Sequence, residues 1–173
     1  MRSRWAAAAG SVLFLLLAPA VVAGIVPLWI ARWRPSDPLL GWVGIRWVGA
    51  ALILAGALVL FDAFARFALQ GRGTPAPPLP TEQLVVSGLY RHVRNPMYLA
   101  VLTVVVGQAL LLGATSLLAY AALLFAAFHL FIVGYEEPTL RRRFGSEYER
   151  YCGRVRRWWP QAAPRSDLRR GPG

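Results

Sequence analysis

The apolar segments constrain this chain more than any other feature. Four stretches, 8–30, 42–61, 98–112 and 116–133, hold between them one arginine, Arg46, and one histidine, His129. Crossing a hydrocarbon core takes roughly 20 helical residues, so each stretch is long enough or nearly so. Backbone in lipid must satisfy its own polar groups, which favours helices. The expectation is an all-α integral membrane protein with about four transmembrane helices. Only Gly113, Ala114 and Thr115 separate the last two, which predicts a tight C-terminal helical hairpin. Both members of that hairpin are slightly short, consistent with little tilt. The first stretch has a rival reading: Arg2, Arg4 and then "APAVVAG" also fit a cleavable leader. The unbroken continuation through "IVPLWI" favours a retained span.

At 57% hydrophobic and 16% charged, the composition is too apolar for an ordinary soluble domain. The formal charge is +11 and every basic residue is Arg, a bias that fits GC-rich coding and a bacterial source. In so apolar a chain the arginines set membrane orientation rather than bind nucleic acid. With the N-terminus inside, all but Arg32, Arg34 and Arg46 fall on the cytoplasmic side. Both termini are therefore expected in the cytoplasm, with the protein in a bacterial inner membrane. The single cysteine, Cys152, excludes an internal disulfide and a cysteine-rich zinc site. Residues 1–70 read as an N-terminal transmembrane pair, 71–160 as a region containing the hairpin, and 161–173 as a disordered basic tail. The Pro-rich "QGRGTPAPPLPTEQLVV" should be irregular, and its Gly71-Arg72-Gly73 lacks the context of a dinucleotide fingerprint.

Two polar clusters flank the hairpin: "SGLYRHVRNPMY" at 87–98 and "EEPTLRRRFGSEYERY" at 136–151. If the hairpin forms, they lie side by side. Asn95-Pro96 predicts a helix start, because proline lacks a donor and restrains its predecessor. The free N–H groups there suit a carboxylate or phosphate. Tyr90 and Tyr98 offer ring faces, and Gly88 allows close backbone approach. Adjacent carboxylates Glu136 and Glu137 are costly at a membrane boundary without a partner. Leu140, Phe144, Tyr148 and Tyr151 recur at helical spacing and predict short interfacial helices. Gly145 is expected to close one of these, and Ser146 to Glu149 reads as a capping box for the next.

Plainer readings compete. Arg91, Arg94 and Arg141 to Arg143 fit headgroup anchors, and so do Trp158 and Trp159. Glu137 with Arg141, and Asp62 with Arg66, fit intrahelical pairs. His92 fits an interfacial residue, and His129 either a functional group or a neutral, hydrogen-bonded one.

The two clusters together resemble the isoprenylcysteine carboxyl methyltransferase and phospholipid methyltransferase superfamily over residues 82–160. Its members carry G-x-Y-x-x-x-R-H/N-P-x-Y before a helical hairpin and E-E-x-x-L-x-x-x-F-G-x-x-Y-x-x-Y after it. The resemblance implies S-adenosylmethionine as methyl donor, bound from the cytoplasmic side, and a lipidic acceptor entering from the bilayer. It implies that Leu84, Val85, Tyr90, Asn95, Pro96, Met97, Tyr98 and Glu136 line the cofactor pocket. Asn95 stands where many members have His, and Arg156 where the usual tail has Pro before Arg-x-x-Pro. Ile132 stands where the eukaryotic carboxyl methyltransferases place an acceptor-handling Arg, a role that would pass to His129 or Arg143.

Methyl transfer from a sulfonium is an in-line displacement that mainly needs alignment and exclusion of water. A carboxylate acceptor needs no base, whereas an amine or hydroxyl needs one, with Glu137, His92 or His129 as candidates. The expected function is a membrane methyltransferase for a lipid-like or small hydrophobic acceptor (carboxyl O- or amine N-methylation). The alternatives are a sterol-reductase-like NADPH enzyme and a non-catalytic membrane protein that keeps the pocket.

Overall fold

The computed structural model describes residues 19–32, 34–70, 84 and 86–161, the side chains of 67–70 excepted. Among these residues every regular element is helical. Helix α1 is Val21–Ala31, α2 is Ile45–Gln70 and α3 is Pro96–Leu112. Helix α4, Thr115–Phe131, runs through a π-helical turn, Ile132–Glu136, into α5, Glu137–Phe144, and α6 is Ser146–Arg154. Single 3₁₀ turns lie at Leu39–Gly41 and Gly88–Arg91.

Two stretches of the described residues reach membrane-spanning length: Ile45–Arg66, 22 residues, and Thr115–Phe144, 30 residues. The fourth predicted span thus does not stop at 133; the same rod carries both glutamates. Helices α1 and α3 are shorter apolar helices. Much of the first predicted span, residues 8–18, lies outside the described residues, as do the Pro-rich loop at 71–83 and the tail beyond 161.

Helix α3 is the centre, with α2 running along it and α4 and α1 packed on its other sides. The α2–α3 contact is backbone-close because small residues line it. A Cβ on Gly107 would sit 2.7 Å from the Gly49 carbonyl oxygen, and one on Gly56 would sit 2.8 Å from that of Ala100. Ala23, Val101, Val105 and Ala121 form the buried core, with Leu60, Val104 and Phe128 against it. Trp47, Leu54, Leu58 and Phe61 on α2, and Leu123 and Leu130 on α4, are exposed. So much outward apolar surface fits helices facing lipid. At the far end of the hairpin Gly113, with φ of 69°, closes α3. The Ser36 N–H donates to the Leu112 carbonyl at 2.8 Å, and Arg46 donates to the Ser36 carbonyl at 2.7 Å, so the α1–α2 connection rests on the hairpin turn.

Two π turns occur among the described residues, each ending two positions before a proline. A proline ring clashes with the carbonyl four residues back and offers it no donor. Before Pro27 the Val26 N–H reaches Val21, and before Pro138 the Glu137 N–H reaches Ile132. At the first turn the Val22 and Ala23 carbonyls are met from other helices. The Tyr120 hydroxyl donates to Val22 at 2.9 Å and the Gln108 amide to Ala23 at 2.6 Å. At the second turn the extra residue rotates α5 relative to α4 by about 100°, one residue's share of a helical turn.

Candidate functional site where the hairpin opens

The two polar clusters meet at the end of the bundle where α3 begins and α4 ends. Pro96 starts α3 and is fully buried, with Asn95 at the N-cap. Asn95 does not cap the helix with its side chain. Its amide instead donates to the Arg157 carbonyl at 3.2 Å. One turn into α3, the Tyr98 hydroxyl donates to Glu136 Oε2 at 2.8 Å, and the Tyr98 ring lies 4.7 Å from Phe128, centroid to centroid. The rotation at the second π turn aims Glu136 at Tyr98 and leaves its neighbour facing elsewhere.

That neighbour is the hub of an ion-pair network. Glu137 is buried, and Arg157 grips it with Nε at 2.7 Å and Nη2 at 2.9 Å. Arg94 Nη1 adds a bond at 3.2 Å and also donates to Cys152 Sγ at 2.8 Å. The bidentate grip suits the planar guanidinium, and the hydrogen bond to Glu137 raises the Arg157 pKa. The Glu137–Arg141 pair expected from helical spacing is also present, at 3.9 Å the longest of these contacts.

The chain beyond α6 closes over the first cluster. The Arg94 N–H donates to the Arg156 carbonyl at 2.9 Å, and the Gln161 N–H to that of His92 at 3.1 Å. His92 Nδ1 lies 3.0 Å from the Gln161 carbonyl oxygen. Trp158, expected as a membrane anchor, packs on Phe125 at 4.9 Å and donates its indole N–H to His129 Nδ1 at 3.2 Å. Trp159 is exposed.

A second cluster supports the turn at 88–91. Tyr90 is buried with Ala63 and Met97 against it, and its carbonyl accepts the Tyr151 hydroxyl at 2.7 Å. Tyr148, Tyr151 and Val155 pack with Leu84, Val86 and Leu140. Burial pushes the Tyr90, Tyr148 and Tyr151 phenols above their ordinary pKa, so all three stay neutral near pH 7. The expected capping box does not form: Gly145 is the N-cap of α6, without a side-chain bond, and Ser146 is already helical.

Of the residues expected to line a cofactor pocket, Asn95, Pro96, Tyr98 and Glu136 come together directly. Met97 and Tyr90 sit on the α2 side and Leu84 beside α6; Val85 lies outside the described residues. Glu137 and His129 are both engaged as described. Arg143 is exposed, 5.7 Å over the Phe144 ring, and makes none of these contacts. Sequence reasoning missed the pairing of Arg94 and Arg157 with Glu137, and of Trp158 with His129. The visible trace was Arg157-x-x-Pro160, which carries no information about its partner.

The described residues form an all-helical protein with two helices long and apolar enough to cross a membrane and a polar cluster at one end of the bundle. The family model for phospholipid methyltransferases matches residues 45–147, from the start of α2 into α6. The chain belongs to that family, whose members are methyltransferases. No curated protein and no solved structure matches it.

Proposed function

We propose that the chain is a membrane-embedded methyltransferase that uses S-adenosylmethionine and modifies a lipid-like or small hydrophobic acceptor. The observation that carries this reading is the 2.8 Å bond between Tyr98 and Glu136, which joins the two motif blocks across the hairpin. The family match adds the reaction class. The residues fit the donor chemically. The first turn of α3 has no side-chain cap, leaving N–H groups for a carboxylate. Glu136 offers carboxylate oxygens to hydroxyl or cationic groups, and Tyr98 and Phe128 offer ring faces.

When bound, S-adenosylmethionine supplies a methyl group on a sulfonium sulfur. The protein's own task is then alignment. Tyr98 holds Glu136 in one orientation, and Asn95 ties the start of α3 to the chain after α6. With its oxygens taken by guanidinium groups, Glu137 acts as a positioning residue that fixes the relation of α3 to α5. His129 accepts the Trp158 indole N–H at Nδ1, which leaves Nε2 for an acceptor. Phe128 packs on Tyr98 and Phe125 on Trp158, which sets apolar rings beside these polar groups. We further place the site on the cytoplasmic side, as the arginine distribution expects.

Binding of S-adenosylhomocysteine to purified protein in detergent tests this directly. Wild type should bind, and Glu136→Gln or Tyr98→Ala should weaken binding at least about tenfold, the loss of a charge-assisted hydrogen bond. A folded wild type that does not bind, or that NADPH protects from heat when the methyl-donor analogue does not, overturns the proposal. Radiolabelled methyl donor incubated with membranes then identifies the acceptor.

A further inference from the structure

Three packed helices each give a length for the apolar layer of this protein, and the lengths agree. On α2 no Asp, Glu, Arg or His occurs in 47–61, between Arg46 and Asp62, a run of about 22 Å at 1.5 Å a residue. On α3 none occurs in 96–112, about 25 Å, and on α4 none occurs in 115–128, about 21 Å. Both edges of the layer are held. At one edge Arg46 donates to the Ser36 carbonyl at 2.7 Å, which keeps its charge beside the hairpin turn. Trp29, Trp42 and Trp47 are exposed at this end, and tryptophan concentrates at membrane–water boundaries. At the other edge Asp62 and Arg66 pair at 2.8 Å, with side chains 39% and 30% exposed. Charges turned outward are costly in hydrocarbon, so its boundary lies at or before Asp62. The α4 run ends at His129, bonded to Trp158.

The helices cannot lengthen this layer by moving apart. Close contacts at Gly49–Gly107 and Gly56–Ala100 lock the register of α2 against α3. Tilting the whole bundle only shortens its reach across the membrane. We propose that the protein fits a bilayer with a hydrocarbon core of about 22–25 Å, against roughly 30 Å in an ordinary one. In proportion to 18-carbon chains, that thickness corresponds to lipid chains of about 14 carbons. In thicker membranes the surrounding lipid must compress to reach Arg46 and Asp62, and the cost falls on the folded state. Bilayer thickness then governs the stability of this protein. The inference rests on the helices lying in a membrane and not on the methyltransferase reading.

The test places the full chain in fluid phosphatidylcholine vesicles with monounsaturated chains of 14, 18 or 22 carbons. Thermal unfolding is followed by tryptophan fluorescence with no methyl donor present, so the result stands apart from any failure of methyl transfer. The melting temperature should be highest at 14 carbons and at least about 5 °C lower at 22. Asp62→Leu combined with Arg66→Leu carries the apolar run of α2 on to the end of that helix and should narrow this difference. Arg150→Ala, exposed on α6 and outside the layer, should keep it. Wild type melting highest in 18- or 22-carbon lipid, or equally in all three, overturns the proposal. So does a folded double variant that keeps the full wild-type difference; if that variant does not fold, the wild-type series decides alone.

Discussion

Glu137 shows how a single side chain is fixed by its surroundings. Its side chain is 6% exposed and takes bonds from Arg157 and Arg94, so removing its charge strands cations in a poorly hydrated place. Breaking a buried pair from one side costs about 3–5 kcal/mol, much more than an exposed pair contributes. Glu137→Gln should lower stability in detergent unfolding by that order, while Arg142→Ala, at an exposed position, should change it by less than about 0.5 kcal/mol. Equal effects from the two would mean that Glu137 is hydrated. The Tyr151 hydroxyl poses a smaller case. It serves the buried Tyr90 carbonyl, so Tyr151→Phe should cost about 1–3 kcal/mol, the penalty for leaving such a group unmet. Its thermal melt, compared with that of Tyr135→Phe on an exposed ring, separates that loss from a general effect of removing a phenol.

At the level of elements, the prolines decide where side chains point. Pro138 favours the π turn before it, and that turn sets the rotation about the α4 axis at which Glu136 and Glu137 leave the helix. Pro138→Ala restores a donor and removes the ring clash, so the α-helical form becomes available. Helix content by circular dichroism should hold or rise, yet binding of S-adenosylhomocysteine should fall, because Glu136 turns away from Tyr98. Unchanged binding would separate the turn from the site. Gly107 makes the converse point about packing. Gly107→Leu forces α2 off α3 and should prevent folding outright, whereas Gly134→Leu, where a Cβ meets nothing within 4 Å, should be tolerated. Expression and then size-exclusion chromatography distinguish them.

These elements also show how much the sequence made legible. The hairpin and the meeting of its polar flanks were deducible from apolar run lengths and a three-residue gap. The start of α3 at Pro96 came from proline chemistry, and the Asp62–Arg66 pair from helical spacing. The π turns were not readable, because Pro27 and Pro138 fit an ordinary first helical turn equally well. The Glu137 network was half readable. Spacing suggested Arg141, but a bidentate partner twenty residues on, beyond two helix ends, leaves no periodic signal.

For the whole molecule, the arginine distribution orders the two faces. The α1–α2 connection holds Arg32 and Arg34, while the opposite end carries Arg91, Arg94 and the arginines from 141 to 157. From the positive-inside tendency we propose that this opposite end faces the cytoplasm. In a Cys152→Ser background, Arg34→Cys should react with a membrane-impermeant maleimide in intact cells. Glu147→Cys, exposed on α6, should react only after permeabilisation. The reverse pattern inverts the proposed topology.

The segment beyond α6 has a consequence for biosynthesis. The amide of Asn95, the N–H of Arg94 and the carbonyl of His92 find their partners only at Arg156, Arg157 and Gln161. A ribosome releases those partners only after the whole hairpin has been synthesised. A nascent chain can thus have its helices complete and still be chemically unfinished, and a stop codon just past α6 would leave the first polar cluster without these partners.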